Sequence, residues 1–131
     1  MKCLLIEDDL DDQEIFLLCL QDVRPDVHCV VLNNGVDALT LLRADQQFIP
    51  EAIFLDVNMP MMNGLECLKR LKEIPQLSDS CIYIYSTTSE DRVIQESREL
   101  GADAYIIKPF GGDKIKEEIA RALNRCQSGA S

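Results

Sequence analysis

Four places in this chain put a chemically capable side chain directly after an apolar run. Glu7, Asp8 and Asp9 follow Lys2 to Ile6, Asp56 follows Ala52 to Leu55, Ser86 follows Cys81 to Tyr85, and Lys108 follows Ala104 to Ile107. Where such runs end along one edge of a sheet, three or four carboxylates, a hydroxyl and an ammonium converge. Carboxylates about 4 Å apart repel by roughly 4 kcal/mol per pair at an effective dielectric near 20, and one lysine offsets only one of them. A hard divalent cation answers the excess charge. An all-oxygen site with few protein ligands suits Mg²⁺, with Mn²⁺ as the alternative. Such a cation also lets an anionic carboxylate approach a phosphoryl group. The set therefore suits phosphoryl transfer to an aspartate, with Ser86 and Lys108 on the transferred oxygens. Singly, each residue reads as a turn, a cap or a surface charge; only their company points to chemistry.

The elements that must position them alternate in apolar period. A strand over Lys2 to Ile6 precedes a helix from about Asp11 to Val23, stopped by Arg24-Pro25 because a residue before proline avoids helical geometry. The expected burial stripe of that helix is Ile15, Leu18, Cys19 and Val23. Val27 to Leu32 is β-rich, Asn33-Asn34-Gly35 is a turn, and Val36 to Ala44 is helical. Ala52 to Leu55 lacks alternation, as a strand covered on both faces does. Leu65, Leu68 and Leu71 mark a helix that ends near Pro75, and the connection from Glu73 to Ser80 is long, with no path assigned to it. After the strand from Cys81 to Tyr85, Ser89 is the expected cap of a helix closed by Gly101. A strand from Ala104 to Ile107 and a helix from Asp113 to Cys126 complete the chain, the latter with Ile115, Ile119, Leu123 and Cys126 on one face. Short connections between strands and helices imply right-handed crossovers and a parallel sheet. The expected fold class is α/β, a doubly wound three-layer sandwich with its ligand site beyond the carboxyl ends of the strands.

The totals restrict the function further. A length of 131 residues, with 47% hydrophobic and 27% charged, describes one ordinary folded domain. The net charge of −10 disfavours nucleic acid and anionic membrane as partners. No apolar run reaches spanning length and no signal peptide is evident, so the expected location is the cytoplasm. Cys3, Cys19, Cys29, Cys67, Cys81 and Cys126 are scattered without a CxxC pair. They are expected to be unpaired and to pack as small hydrophobes.

Over about Lys2 to Arg125 the chain resembles the response-regulator receiver family of two-component signalling. The resemblance rests on Leu4 to Asp9, on Phe54 to Glu66 with its Asp56 and Met59-Pro60, and on Gly101 to Phe110 with its Lys108-Pro109 step. The 30 residues from Asp56 to Ser86 and the 22 from Ser86 to Lys108 are similar to chemotaxis-type receivers. The resemblance implies a flavodoxin-like (βα)5 fold of strand order 2-1-3-4-5 over residues 1–126, with a short tail at 127–131 and no output domain. It implies Asp56 as phosphoacceptor, with Glu7, Asp8, Asp56 and the backbone carbonyl of Asn58 around Mg²⁺. Ser86 and Lys108 would bind the phosphoryl group, Tyr105 would follow the switch, and Asn58 and Thr88 would tune phosphate lifetime. It further implies a sensor histidine kinase or histidine phosphotransfer protein as donor, and a separate downstream protein reading the face of the fourth helix, fifth strand and fifth helix. The chain would act as a monomer or a phosphorylation-dependent dimer, and would catalyse only its own phosphorylation and dephosphorylation. Three rivals fit less well. A pseudo-receiver that binds partners without being phosphorylated usually lacks one of the key residues, and all of them are present here. An FMN site needs a Ser/Thr/Gly-rich loop where this chain has Glu7-Asp8-Asp9, and an aspartate-nucleophile phosphatase pairs its nucleophile with an acid two residues on, where Asn58 stands.

Overall fold

The computed structural model describes residues 1–127. Five strands, β1 (Lys2–Ile6), β2 (His28–Leu32), β3 (Ala52–Leu55), β4 (Cys81–Ser86) and β5 (Ala104–Ile107), alternate with five helices. The helices are α1 (Leu10–Val23), α2 (Gly35–Ala44), α3 (Gly64–Leu71), α4 (Asp91–Glu99) and α5 (Gly112–Gln127). The sheet is parallel, in the order β2-β1-β3-β4-β5. Of the tail expected at 127–131, Gln127 closes α5 and the remainder lies outside the described residues.

Strand side chains alternate between two cores, because successive residues point to opposite faces. Leu4, Ile6, Ile53, Leu55, Ile82 and Ile84 pack with α2 and α3 on one face. Cys3, Leu5, Phe54, Tyr83 and Tyr85 pack with α1 and α5 on the other. All four residues of β3 are fully buried, which explains its unbroken apolar run.

The burial face of α1 differs from expectation. Phe16, Cys19 and Leu20 are buried, whereas Ile15 and Leu18 are 43% and 65% exposed. Apolar residues encircle this helix from Ile15 to Leu20, so hydrophobicity alone leaves its rotation open. The aromatic cluster decides it: Phe16 meets the edges of Phe54 and Tyr85 at centroid distances of 5.0 and 5.6 Å. The helix also begins at Leu10, because Asp9 caps it by accepting from the Asp12 amide at 2.9 Å. Ser89 is not the cap of α4; Glu90 holds that position and makes no side-chain cap bond. The connection from Glu73 to Ser80 is a 3-10 turn at Pro75–Leu77, pinned by the Gln76 side chain donating to the Phe48 carbonyl at 3.1 Å.

The cysteines require a correction. Cys81 and Cys126 form a disulfide, while Cys3, Cys19 and Cys67 are buried thiols and Cys29 is a half-buried one. The partners lie 45 residues apart in sequence, at the start of β4 and in the last turn of α5. Only the packing of α5 across the sheet brings their Cα atoms to 5.9 Å, so no local spacing reveals the pair.

That packing is also held by the buried Tyr83 hydroxyl, which donates to the Ala122 carbonyl at 2.8 Å. Tyr83→Phe removes this one bond while keeping the ring. It is expected to lower stability by about 1 kcal/mol in urea unfolding; an unchanged midpoint would show that the bond contributes nothing.

Candidate functional site

The parallel ladder continues past the strand ends and holds the first site residues. The Glu7 amide donates to Leu32 at 3.0 Å, the Asp56 amide to Ile6 at 3.1 Å, and the Lys108 amide to Ser86 at 2.8 Å. Glu7, Asp56 and Ser86 are buried, and Asp8 stands exposed at the rim. The loop after β3 returns to α3 across a very close contact. Gly64 donates to the Val57 carbonyl at 2.7 Å, and a Cβ on Gly64 would lie 2.1 Å from the Asp56 carbonyl oxygen. Asn63 caps α3 by accepting from the Glu66 amide at 3.0 Å. Met61 turns this loop with a positive φ of 68°.

The Lys108 ammonium is the centre of the charged cluster. It contacts Glu7 Oε1 at 2.5 Å, Asp12 Oδ2 at 2.8 Å and Asp56 Oδ2 at 3.3 Å. Burial alone would lower the Lys108 pKa, but the hydrogen bonds to Asp12 and Glu7 and the charge of Asp56 raise it above the ordinary lysine value. Its charge is therefore permanent at neutral pH. Glu7 responds the opposite way: burial pushes its carboxyl up to about 7 despite the Lys108 contact, and the nearby Asp56 charge adds to the rise.

Three carboxylates thus contact one ammonium, and Asp8 adds a fourth close to Glu7 and Asp56. Glu7, Asp8 and Asp56 each present an oxygen, and these atoms lie within 4.8 Å of one another. Asp56 Oδ1 is buried without a hydrogen-bond partner. A buried carboxylate oxygen lacks compensation unless a cation or donor reaches it. Charge excess, all-oxygen donors and this orphaned oxygen fit a divalent cation.

Beside the cluster runs a hydrogen-bonded chain from β5 to the loop after β3. The Tyr105 hydroxyl donates to the Thr88 carbonyl at 2.6 Å, and the Asn58 side-chain amide donates to the Thr88 hydroxyl at 2.7 Å. Burial raises the Tyr105 pKa, so the hydroxyl remains a donor. The Thr88 amide donates to Ser86 Oγ at 3.3 Å, which joins the buried Ser86 to the same chain. His28 is an exposed strand residue on β2.

Glu7, Asp8, Asp56 and Lys108 meet in the charged cluster, and Ser86, Thr88, Asn58 and Tyr105 are joined in the hydrogen-bonded chain beside it, with two refinements. Asp9 caps α1 and is not among the converging carboxylates. Asp12 was missed; it stands in the first turn of α1, three residues after the cap, where its side chain meets Lys108. The link between Tyr105, Thr88 and Asn58 was also invisible, because it joins three separate segments.

Comparison with known proteins agrees with this architecture. The response regulator receiver domain family matches residues 3–120. Sporulation initiation phosphotransferase F of Bacillus subtilis is 36% identical over 90 residues, covering 69% of this chain and 68% of that protein. Of several longer curated relatives the chain spans only 29% to 46% of the length. The phosphorylated cyanobacterial phytochrome response regulator RcpA superimposes with a TM-score of 0.87 at 25% identity, over 99% of this chain and 96% of that one. The Mn²⁺-bound form of the response regulator Rcp1 shares the fold with a TM-score of 0.79 at 24% identity, over 90% and 88% of the two chains. The receiver-domain match over residues 3–120, on a parallel sheet of order β2-β1-β3-β4-β5, shows that the chain belongs to the response regulator receiver domain family.

Proposed function

We propose that Asp56 accepts a phosphoryl group from a phosphohistidine on a partner protein, and that the chain signals by the resulting change on its α4-β5-α5 face. The observation that carries this reading is the partnerless, buried Asp56 Oδ1 within reach of the other carboxylates and beside Lys108. In the transfer, an Asp56 oxygen forms a bond to phosphorus while the phosphorus–nitrogen bond to the donor imidazole breaks, and the imidazole leaves with a proton from solvent. Glu7, Asp8, Asp56 and the backbone carbonyl of Asn58 would hold Mg²⁺ or Mn²⁺, which supplies positive charge that offsets the approach of two anions. Lys108 already lies against Asp56, so its ammonium can exchange a carboxylate partner for a phosphoryl oxygen without a large movement. Ser86 supplies the second contact through its hydroxyl.

The switch runs through the hydrogen-bonded chain beside the cluster. Movement of Ser86 toward the phosphoryl group displaces Thr88, and Thr88 carries the Tyr105 hydroxyl with it. Phosphorylation thereby biases a two-state element on the β5 side of the sheet. Asn58 and Thr88 face the attack position and govern how readily water reaches the acyl phosphate. The donor is a sensor histidine kinase or a histidine phosphotransfer protein, and a separate protein reads the altered face. With a net charge of −10, neither nucleic acid nor an anionic membrane suits as that reader. The chain acts on no external substrate.

Incubation with Mg²⁺ and a small phosphoramidate is expected to add one acid-stable, base-labile phosphoryl group to the wild type. Asp56→Asn is expected to gain none. Equal gain by that variant, or no gain by the wild type, contradicts the proposal.

A further inference from the structure

A row of sulfur lies at the opposite edge of the sheet from the carboxylates. Cys29 of β2 stands beside Cys3 of β1, Cys3 beside Ala52 of β3, and Ala52 beside Cys81 of β4. All belong to the α1/α5 side of the sheet. Cys81 is joined to Cys126, and their Cα separation of 5.9 Å is within the range of about 4.4–6.8 Å that a disulfide spans.

Three features make this bond suited to opening and closing. Cys81 is buried and Cys126 is half-exposed, so Cys126 is the side of the bond that an incoming thiolate meets from solvent. The Glu51 carbonyl lies 3.1 Å from Cys126 Sγ, so a reduced thiol has its acceptor in place. The rest of α5 is anchored independently, by buried Ile115, Ile119, Ala122 and Leu123 and by the Tyr83 bond to Ala122. Opening therefore releases only the last turn of the helix. The buried thiols are poor competitors. Burial pushes Cys67 up to about 12 and raises Cys19, while the hydrogen bond with Cys29, together with burial, raises Cys3.

We propose that Cys81 and Cys126 form a reversible thiol–disulfide modification site, exchanged through Cys126, which clamps or releases the carboxyl end of α5. In the opening direction a dithiol reductant attacks Cys126, forming a mixed disulfide while Cys81 leaves as thiolate and takes a proton. The second reductant thiol then displaces Cys126, so the bond is reduced to two thiols and the dithiol is oxidised to its disulfide. In closing, a small disulfide accepts the same two electrons and is released as two thiols. Cys81 and Ser86 occupy opposite ends of β4, about 17 Å apart by strand rise, so the exchange is chemically separate from the carboxylate cluster.

The test equilibrates the 131-residue chain with a reducing dithiol or with oxidised glutathione, then counts thiols by maleimide labelling after acid denaturation. Six labels are expected in the reduced protein and four after oxidation, with one linked peptide containing Cys81 and Cys126. Cys126→Ser should show five labels in both buffers, since one of six cysteines is gone. Closing a loop across a separation of 45 residues is expected to raise Tm by about 10 °C. Amide exchange in the last turn of α5 should slow about ten-fold. Six labels in every buffer would overturn the proposal. So would a linkage through other cysteines, a bond that a dithiol opens only in denaturant, or unchanged exchange in α5. None of these readouts depends on phosphorylation, so their failure would leave the role of Asp56 intact.

Discussion

Gly64→Ala should destabilise the protein by about 3 kcal/mol or more, shifting its urea midpoint by roughly 1–2 M. The added methyl would sit 2.1 Å from the Asp56 carbonyl oxygen and 2.6 Å from Val57 Cα. Both are backbone atoms of the segment that carries the candidate phosphoacceptor, so no rotamer change can relieve the contact. Either α3 moves away or the Asp56 loop shifts, and both outcomes misplace the carboxylate. Phosphoryl uptake should therefore fall together with stability. Gly112→Ala is the matched control, because nothing lies within 4 Å of a Cβ there at the first residue of α5. That variant should lie within about 0.5 kcal/mol of the wild type or be slightly more stable. Equal midpoints for wild type and Gly64→Ala would show that the close contact does not constrain the site.

Lys108→Met should reduce phosphoryl uptake about 100-fold, the effect of removing one preorganised charged contact from a transferring group. Its stability cost should depend on pH. Removing the ammonium leaves Glu7, Asp12 and Asp56 without a cation, and orphaning a buried charge costs about 3–5 kcal/mol. Glu7 is the group that can relieve this by taking a proton. Its folded pKa of about 7 lies above the ordinary 4.5, so between these values the folded state binds more protons than the unfolded one. Wild-type stability from this group therefore falls as pH rises from 4.5 through about 7, and levels off above. Without Lys108 the Glu7 carboxyl shifts higher still, and the loss continues past neutrality. The penalty of the variant should thus be largest near pH 8 and shrink toward pH 5.5, as read from urea midpoints at the two values. A penalty independent of pH would place the compensating charge somewhere other than Glu7.

The order of elements and the sheet edge bearing the site were legible because both follow from local pattern. Short unbroken apolar runs such as Ile53-Phe54-Leu55, bounded by turn residues and alternating with helical segments, fit covered strands, and in a parallel sheet the residues after them share the carboxyl edge. What escaped was set by packing between distant segments. The rotation of α1 was open because its apolar residues surround the helix, and Phe16 chose the face through Phe54 and Tyr85. Asp12 reads as one more acid in a first turn until Lys108 arrives from the far end of the chain. The Cys81–Cys126 bond depends on where α5 crosses the sheet. Asp9, by contrast, was ambiguous for a local reason: an acid before a helix serves equally as a cap or as a ligand, and the Asp12 amide decides for the cap.

The central claim is that one carboxylate among several neighbours, Asp56, takes the phosphoryl group. The most direct measurement is to phosphorylate the wild-type chain with Mg²⁺ and a small phosphoramidate, convert the acyl phosphate reductively to a stable alcohol, and map the converted residue by peptide mass. Conversion confined to Asp56 is the predicted result. Conversion at Glu7, Asp8 or Asp12, or spread evenly among them, would contradict the account.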